Sequence, residues 1–270
     1  MLNIRKTADI EGELNRAGLD IRYFHKKTTG STNEDAADYI RKNGGMVLVT
    51  ADEQTKGRGR RGRDFYSPKG SGLYLSLGFD AGADFANTAG MTAVAGVAVA
   101  LAIDSVVFDG SSHSLIKWVN DIYIDGRKVC GILSEALTDA GNGGHVSVIV
   151  GIGINLFEPS EDIPEDIRNK AGWLMRSDCP KDRAAIRDAL TLEIIRNFFR
   201  YMNEPGKSLE IYRARSFLTG CTVRINSFKE GNSQDRARVI GIDDEYRLLV
   251  EYSDGSVEAL SSGEVSVVKE

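Results

Sequence analysis

Lys117-Trp118-Val119-Asn120-Asp121-Ile122-Tyr123-Ile124-Asp125-Gly126-Arg127-Lys128-Val129-Cys130-Gly131-Ile132-Leu133-Ser134-Glu135 places two alternating runs on either side of Asp125-Gly126. Asp-Gly suits the positive-φ positions of a type I′ turn, whose twist matches that of paired strands, so the stretch reads as a β-hairpin. In a regular ladder Ile124 faces Arg127, Tyr123 faces Lys128 and Asp121 faces Cys130. Side chains alternate along a strand, so Lys117, Asp121 and Lys128 share one face. Two ammonium groups and a carboxylate are costly to bury together, so that face meets either a ligand or solvent.

Working outward, a second hairpin partner lies downstream. Val146 to Leu156 is a strand interrupted by Gly151 and Gly153, and glycines inside a strong strand mark a bulge or a close approach by ligand or backbone. A turn is expected at 141–144. Asn155 ends the strand with both a donor and an acceptor. Upstream, Phe85 to Ile103 holds 19 uncharged residues rich in Ala, Gly and Thr, and the apolar run continues to about 107. Its hydrophobicity is weak for membrane insertion. It reads as a helix buried against the sheet, with Ala93, Gly96 and Ala100 allowing close approach. Leu73 to Phe79 alternates as a strand, and Met46 to Ala51 is a continuous apolar strand.

Between those two strands lies Gly57-Arg58-Gly59-Arg60-Arg61-Gly62-Arg63, preceded by Lys56. Five cations sit within eight residues of a chain whose net charge is −5. Like charges repel and glycine leaves the backbone loose, so the loop is expected to be anchored at both ends and mobile in the middle until an anion orders it. A solvated loop or a nucleic-acid patch is the plainer reading. No second basic cluster accompanies it, however, and a nucleic-acid surface needs a broad basic stripe. A compact phosphate-bearing ligand fits better.

Near the N-terminus, Ile21 to His25 is a short strand and residues 1–20 a helical lead-in. Ser31 followed by Glu34 has the spacing of a capping box, with Ala36, Ala37 and Ile40 at helical spacing behind it. Ser31, Thr32 and Asn33 then sit at a helix N-terminus. A cap alone explains them; converging hydroxyls and backbone N–H groups also suit a polar ligand.

After the central strands come an irregular stretch (157–181) with Trp173, a helix from Lys181 to Asn203, and a shorter one at about 207–217. Trp173 is either a stacking surface or a core filler. From Cys221 onward the texture changes to short strands: 222–225, 237–242, 248–252, 256–260 and 265–268, with turns at 230–232 and 254–255. Five short strands suggest a small barrel. The fold class is α+β, a mixed sheet flanked by helices, with domains expected at 1–218 and 219–270. Three cysteines and three histidines (His25, His113, His145) lie scattered. This gives little support to a structural zinc site or a His-based triad and suits a reducing, cytoplasmic compartment without disulfides. No secretory signal is evident.

The ordered set Ser31-Thr32-Asn33, Gln54, the Gly57–Arg63 run, Lys117-Trp118-x-Asn120-Asp121, Lys128 with Gly131-Ile132-Leu133, and Gly151-x-Gly153-Ile154-Asn155 resembles the biotin protein ligases over almost the whole chain. The resemblance implies a class II synthetase-like catalytic domain and an SH3-like C-terminal barrel. It implies activation of biotin by MgATP to biotinyl-5′-AMP, then transfer to a lysine of a biotin carboxyl carrier protein domain. Val119 stands where the family usually has proline, with little effect expected. About 20 residues precede the first strand, too few for the helix-turn-helix of some relatives, so DNA binding is not expected. Membrane binding is not expected either, and a homodimer is compatible with the pattern.

By resemblance, Ser31, Thr32, Asn33 and Gln54 bind the biotin head. Gly57, Arg58, Gly59, Arg60 and Arg63 belong to the lid over biotin and adenylate. Lys128 is the catalytic cation. Lys117, Asn120 and Asp121 face the phosphates, magnesium or the incoming amine. Trp173 and Asn155 lie near adenine, while Gly131 and Gly153 let the ligand rest on the sheet. The nearest rival is a lipoate-type ligase on the same fold; a non-enzymatic biotin sensor and a nucleic-acid binder stand further off.

Overall fold

Gly72–Asp80 (β3) and Val146–Asn155 (β7) form the longest antiparallel registers of a seven-stranded sheet, shared with Arg127–Thr138 (β6). The computed structural model describes residues 9–81, 88–138, 146–160, 162–227, 234–261 and 265–269. The turns expected at 141–144 and 230–232, His145, and the helical residues expected at 1–8 and 85–87 lie outside the described residues.

The sheet is completed by Arg22–Lys26 (β1), Val47–Ala51 (β2), Leu115–Lys117 (β4) and Asp121–Ile124 (β5), in the order β1-β2-β3-β7-β6-β5-β4. Only β1 and β2 run parallel, because Thr32–Asn43 (α2) crosses between them. On one face α2 lays Ala36, Ala37 and Ile40 against Val47, Val49 and Ile149. On the other face lie Thr88–Val107 (α3) and Arg183–Met202 (α5), packed together. This two-sided cover explains why β3, expected to alternate, is buried from Gly72 through Phe79. Helix α3 is long and apolar enough to cross a membrane. Its residues Val97 to Ala100 and Ile103 are nevertheless fully buried in the protein core. At Gly96 a Cβ would stand 3.6 Å from Ile116, an ordinary contact, so no unusually close approach depends on that glycine.

Shorter helices are Ile10–Arg16 (α1), Glu165–Arg168 (α4) and Pro205–Ala214 (α6). A separate antiparallel sheet comprises Thr222–Ser227 (β8), Gln234–Ile242 (β9), Leu248–Glu251 (β10), Val257–Leu260 (β11) and Val265–Lys269 (β12), ordered β11-β10-β9-β8-β12. It is tied to the larger sheet through side chains. Trp118 Nε1 donates to the Tyr246 carbonyl at 2.9 Å, and Arg213 Nε to the Ile242 carbonyl at 2.8 Å. The Trp118–Val119 peptide is cis.

A buried ion pair pins the end of α3. Asp104 Oδ1 accepts from the Ser114 backbone N–H (3.1 Å) and hydroxyl (2.8 Å), while Oδ2 accepts from Arg215 Nη1 at 2.6 Å. Both side chains are nearly inaccessible, at 4% and 14% exposure. Removing one partner leaves the other charge stranded, so Asp104→Ala is expected to cost about 3–5 kcal/mol. Urea denaturation should show this as a lower midpoint at unchanged slope.

Candidate active site

Helix α2 begins at the edge of a cavity, and its start is shaped from outside. Ser31 holds the N-cap position in extended geometry but makes no side-chain cap bond. The expected capping box is therefore not formed. Instead Gln54 Oε1 accepts from both the Thr32 backbone N–H (2.9 Å) and the Thr32 hydroxyl (3.0 Å). A backbone N–H can only donate, which fixes the Gln54 amide with Nε2 toward Ser67 Oγ at 3.1 Å. Glu34 turns away and lies 3.9 Å from Arg58.

Behind Thr32 stands Ser76, fully buried on β3. Its hydroxyl lies 2.7 Å from Thr32 Oγ1 and 2.6 Å from Asn33 Oδ1, and its single hydrogen serves one of them. Asn33 Nδ2 donates to Glu135 Oε2 at 2.7 Å. Gly151 must lack a side chain, because a Cβ there would overlap Asn33 Oδ1.

The Arg/Gly loop does not have a loose middle. Phe65 N donates to the Gly57 carbonyl (2.9 Å), Gly59 N donates to the Arg63 carbonyl (2.7 Å), and Arg58 bridges Asp64. Between them Arg60–Gly62 forms one tight turn, with Arg61 and Gly62 at positive φ. Mutual repulsion is offset because the guanidinium groups diverge toward different acceptors. Arg58 Nη2 reaches Glu135 Oε1 at 2.6 Å, while Arg60 Nη1 reaches Asn120 Oδ1 at 3.0 Å. Burial lowers the Arg60 pKa, and Arg61 adds to this; Asp121 opposes it. Arg61 and Arg63 lie on the exposed outer side.

The hairpin supplies the floor. Tyr123 pairs with Lys128 and Ile124 with Arg127, as alternation predicts. A bulge between Ile122 and Tyr123 then shifts the register, so Asp121 opposes Gly131 and not Cys130. The extra residue re-aims the strand. Lys128 Nζ meets Asp121 Oδ1 at 2.7 Å. Lys117 pairs with Asp121 across β4 and β5, and its Nζ lies 3.5 Å from Tyr123 Oη. Burial lowers the Lys117 pKa, with Asp121 pulling it back up. Burial pushes the Tyr123 phenol up to about 12.

These walls enclose a cavity of about 50 Å³. Of the residues expected at the site, Ser31, Thr32, Asn33 and Gln54 line it on one side, and Arg58, Gly59, Arg60, Asn120 and Lys128 on the other. Gly131 and Gly153, paired across β6 and β7, form its base. Phe65 covers that glycine pair in place of open space: its ring would overlap a Cβ on Gly153 and stand 3.2 Å from one on Gly131. Gly57, Arg63, Lys117 and Asp121 do not line this cavity; Asp121 sits behind Lys128 as its counter-ion.

Trp173 lines a second, wider cavity of about 500 Å³ together with Arg127, Arg168 and Arg176. Asn155 also lies outside the first cavity and donates to the Gly172 carbonyl at 3.1 Å. That segment is bonded to the Lys128 backbone on both sides, Lys128 N to the Lys170 carbonyl and Gly172 N to the Lys128 carbonyl. Among the described residues, no three His, Cys, Asp or Glu side chains converge as a metal cluster.

Glu135, Ser76, Ser67 and Phe65 belong to the site and were not singled out by the sequence, whereas Gly151 was read there as a close approach. Glu135 had a signal: it shares the period-2 face of Gly131. Ser76 is a lone hydroxyl inside an apolar strand. Phe65 has no local signature.

Residues 24–155 match the Biotin/lipoate A/B protein ligase family, and residues 220–268 match the Biotin protein ligase C terminal domain. The Bifunctional ligase/repressor BirA of Bacillus spizizenii is 31% identical over 235 residues, 86% of this chain and 70% of that protein. The chain belongs to the biotin protein ligase family. A Biotin--[acetyl-CoA-carboxylase] ligase of Mycobacterium tuberculosis is 29% identical over 88% of this ligase and 85% of its own length. Among solved structures, the Aquifex aeolicus biotin protein ligase in complex with biotin and ATP superposes with a TM-score of 0.71 at 25% identity, covering 92% of this chain and 99% of that one.

Cysteine chemistry plays no part in the site of this ligase. Cys130 lies on β6 beneath the floor, fully buried, and burial pushes its thiol pKa well up. The thiolate is the reactive form. Brief alkylation of the native protein should therefore modify Cys179 and Cys221, both partly exposed, and spare Cys130. Peptide mass spectrometry reads the outcome directly.

Proposed function

We propose that this ligase activates biotin with MgATP and passes it to a lysine of a biotin carboxyl carrier domain. One observation carries the reading: Lys128, held by Asp121, and Arg60, held by Asn120, converge on a cavity whose opposite wall is the Thr32–Asn33–Gln54–Ser76 network. A polar wall of fixed donors and acceptors suits a small uncharged ring. Paired cations suit a carboxylate meeting a phosphoryl group.

In the first step a biotin carboxylate oxygen attacks the α-phosphorus of ATP and pyrophosphate leaves. In the second, the carrier amine attacks the carbonyl carbon of biotinyl-AMP and AMP leaves. Both steps concentrate negative charge on oxygens, which a pre-positioned ammonium stabilises. Asp121 keeps Lys128 aimed. Lys117, half-buried beside the pair, adds positive potential from behind. The cavity around Trp173, walled by three arginines, is the place we assign to the nucleotide.

Pockets for small molecules run to about 300 Å³ or more. The ring of Phe65 must therefore leave the Gly131–Gly153 pair when biotin enters. The lid role of the Arg/Gly loop follows: it opens for substrate and closes on the intermediate. The carrier is proposed from the acetyl-CoA-carboxylase in the names of relatives. A reducing cytoplasm is supported by three unpaired cysteines. Residues 219–270 form the second domain in this reading, supported by the change to short strands at Thr222.

Transfer of labelled biotin to a carrier domain with MgATP tests the function. Transfer of lipoate in place of biotin, or no pyrophosphate release with either acid, would overturn it. Lys128→Ala should slow adenylate formation by about 10²–10³-fold, the effect of losing one transition-state donor. Near-normal pyrophosphate release by that variant would exclude the assigned role. Arg60→Gly removes the contact to Asn120 and should let biotinyl-AMP escape, read as labelling of bystander lysines at distances from the enzyme that the wild type does not reach.

A further inference from the structure

Among the described residues, Glu135 is the one carboxylate that hydrogen-bonds to both walls of the cavity. Its Oε2 accepts from Asn33 Nδ2 at 2.7 Å, and its Oε1 from Arg58 Nη2 at 2.6 Å. Asn33 stands on the first turn of α2, whereas Arg58 belongs to the Arg/Gly loop. The side chain is 27% exposed, so the charge is partly desolvated and its two bonds are charge-assisted. Arg58 has a second carboxylate within range, but Glu34 is more distant at 3.9 Å and 56% exposed, where such a pair contributes little.

We propose that Glu135 is a positioning residue that latches the lid to the wall recognising the biotin ring; this rests on the biotin ligase reading above. The chemistry follows from what a carboxylate can do. Ionised, it only accepts, so it draws the Asn33 amide with Nδ2 toward itself and leaves Oδ1 facing Ser76 and the cavity. The same group tethers Arg58, so lid closure and amide orientation are set by one side chain. A glutamine is neutral and keeps one carbonyl oxygen, so it weakens the Arg58 tether and cannot hold Asn33 and Arg58 in their present orientations together.

Glu135→Gln tests the latch in two ways. In the ligand-free protein, trypsin should cut the 57–63 loop several-fold faster than in the wild type, because Arg58 is released. In steady state, the KM for biotin should rise about tenfold, the loss of one charge-assisted bond, with kcat for pyrophosphate release within about twofold. A purely structural residue would lower the melting temperature and move all kinetic parameters together. Gly151→Ala separates the arms, since the three atoms nearest its Cβ all belong to Asn33. It should raise the biotin KM while leaving the tryptic rate unchanged. Wild-type cleavage and wild-type KM in Glu135→Gln would overturn the latch. If the wild type itself forms no biotinyl-AMP, the biotin reading falls, and the tryptic rate still decides whether Glu135 holds the lid.

Discussion

The 2.7 Å contact between Lys128 and Asp121 sets terms that the rest of the site must meet. An ammonium on a sheet floor is tolerable only beside a counter-charge, and the register that presents it is set by a bulge in β6, where Val129 is the extra residue facing the Ile122–Tyr123 step of β5. The bulge brings Asp121 opposite Gly131, whose missing Cβ leaves room for the Lys128 ammonium and the Phe65 ring. Gly153 continues that clearing onto β7. Everything that closes the cavity, the ring of Phe65 and the fan of arginines, rests on this cleared and charged floor.

The two polar walls obey a different constraint, that every buried donor needs an acceptor. On the α2 side the orientation of each amide is dictated by a neighbour with no choice: a backbone N–H for Gln54, a carboxylate for Asn33. Between them Ser76 has one hydrogen, for either of two oxygens. Such a wall has a fixed sense before any ligand arrives, and preorganisation of this kind reduces the ordering cost of binding.

Much of this was legible in the chain because it is local. Asp125-Gly126 sets the hairpin ends, so the pairing of Tyr123 with Lys128 follows from counting residues. The five C-terminal strands announce themselves through short apolar runs, and Leu248–Glu251 lies inside the stretch expected from alternation. What was hidden depends on partners remote in sequence. Nothing near Val129 marks a bulge. The Arg/Gly loop reads as self-repelling until Glu135, 77 residues away from Arg58, provides the acceptor. The capping box fails for the same reason, because Gln54 reaches the helix start first.

The indole of Trp118 is 7% exposed, and its N–H has the Tyr246 carbonyl as partner, in the turn between β9 and β10. Tyr246 also packs edge-on against Tyr212, whose hydroxyl donates to the Val119 carbonyl at 3.2 Å. Separating the small sheet would strand a buried donor next to the catalytic hairpin, at a cost of about 1–3 kcal/mol. The two sheets are therefore coupled at this seam. A surface turn that lies outside the cavity thus helps to hold the indole beside the hairpin, through a main-chain carbonyl that its fold, more than its side chains, puts in place.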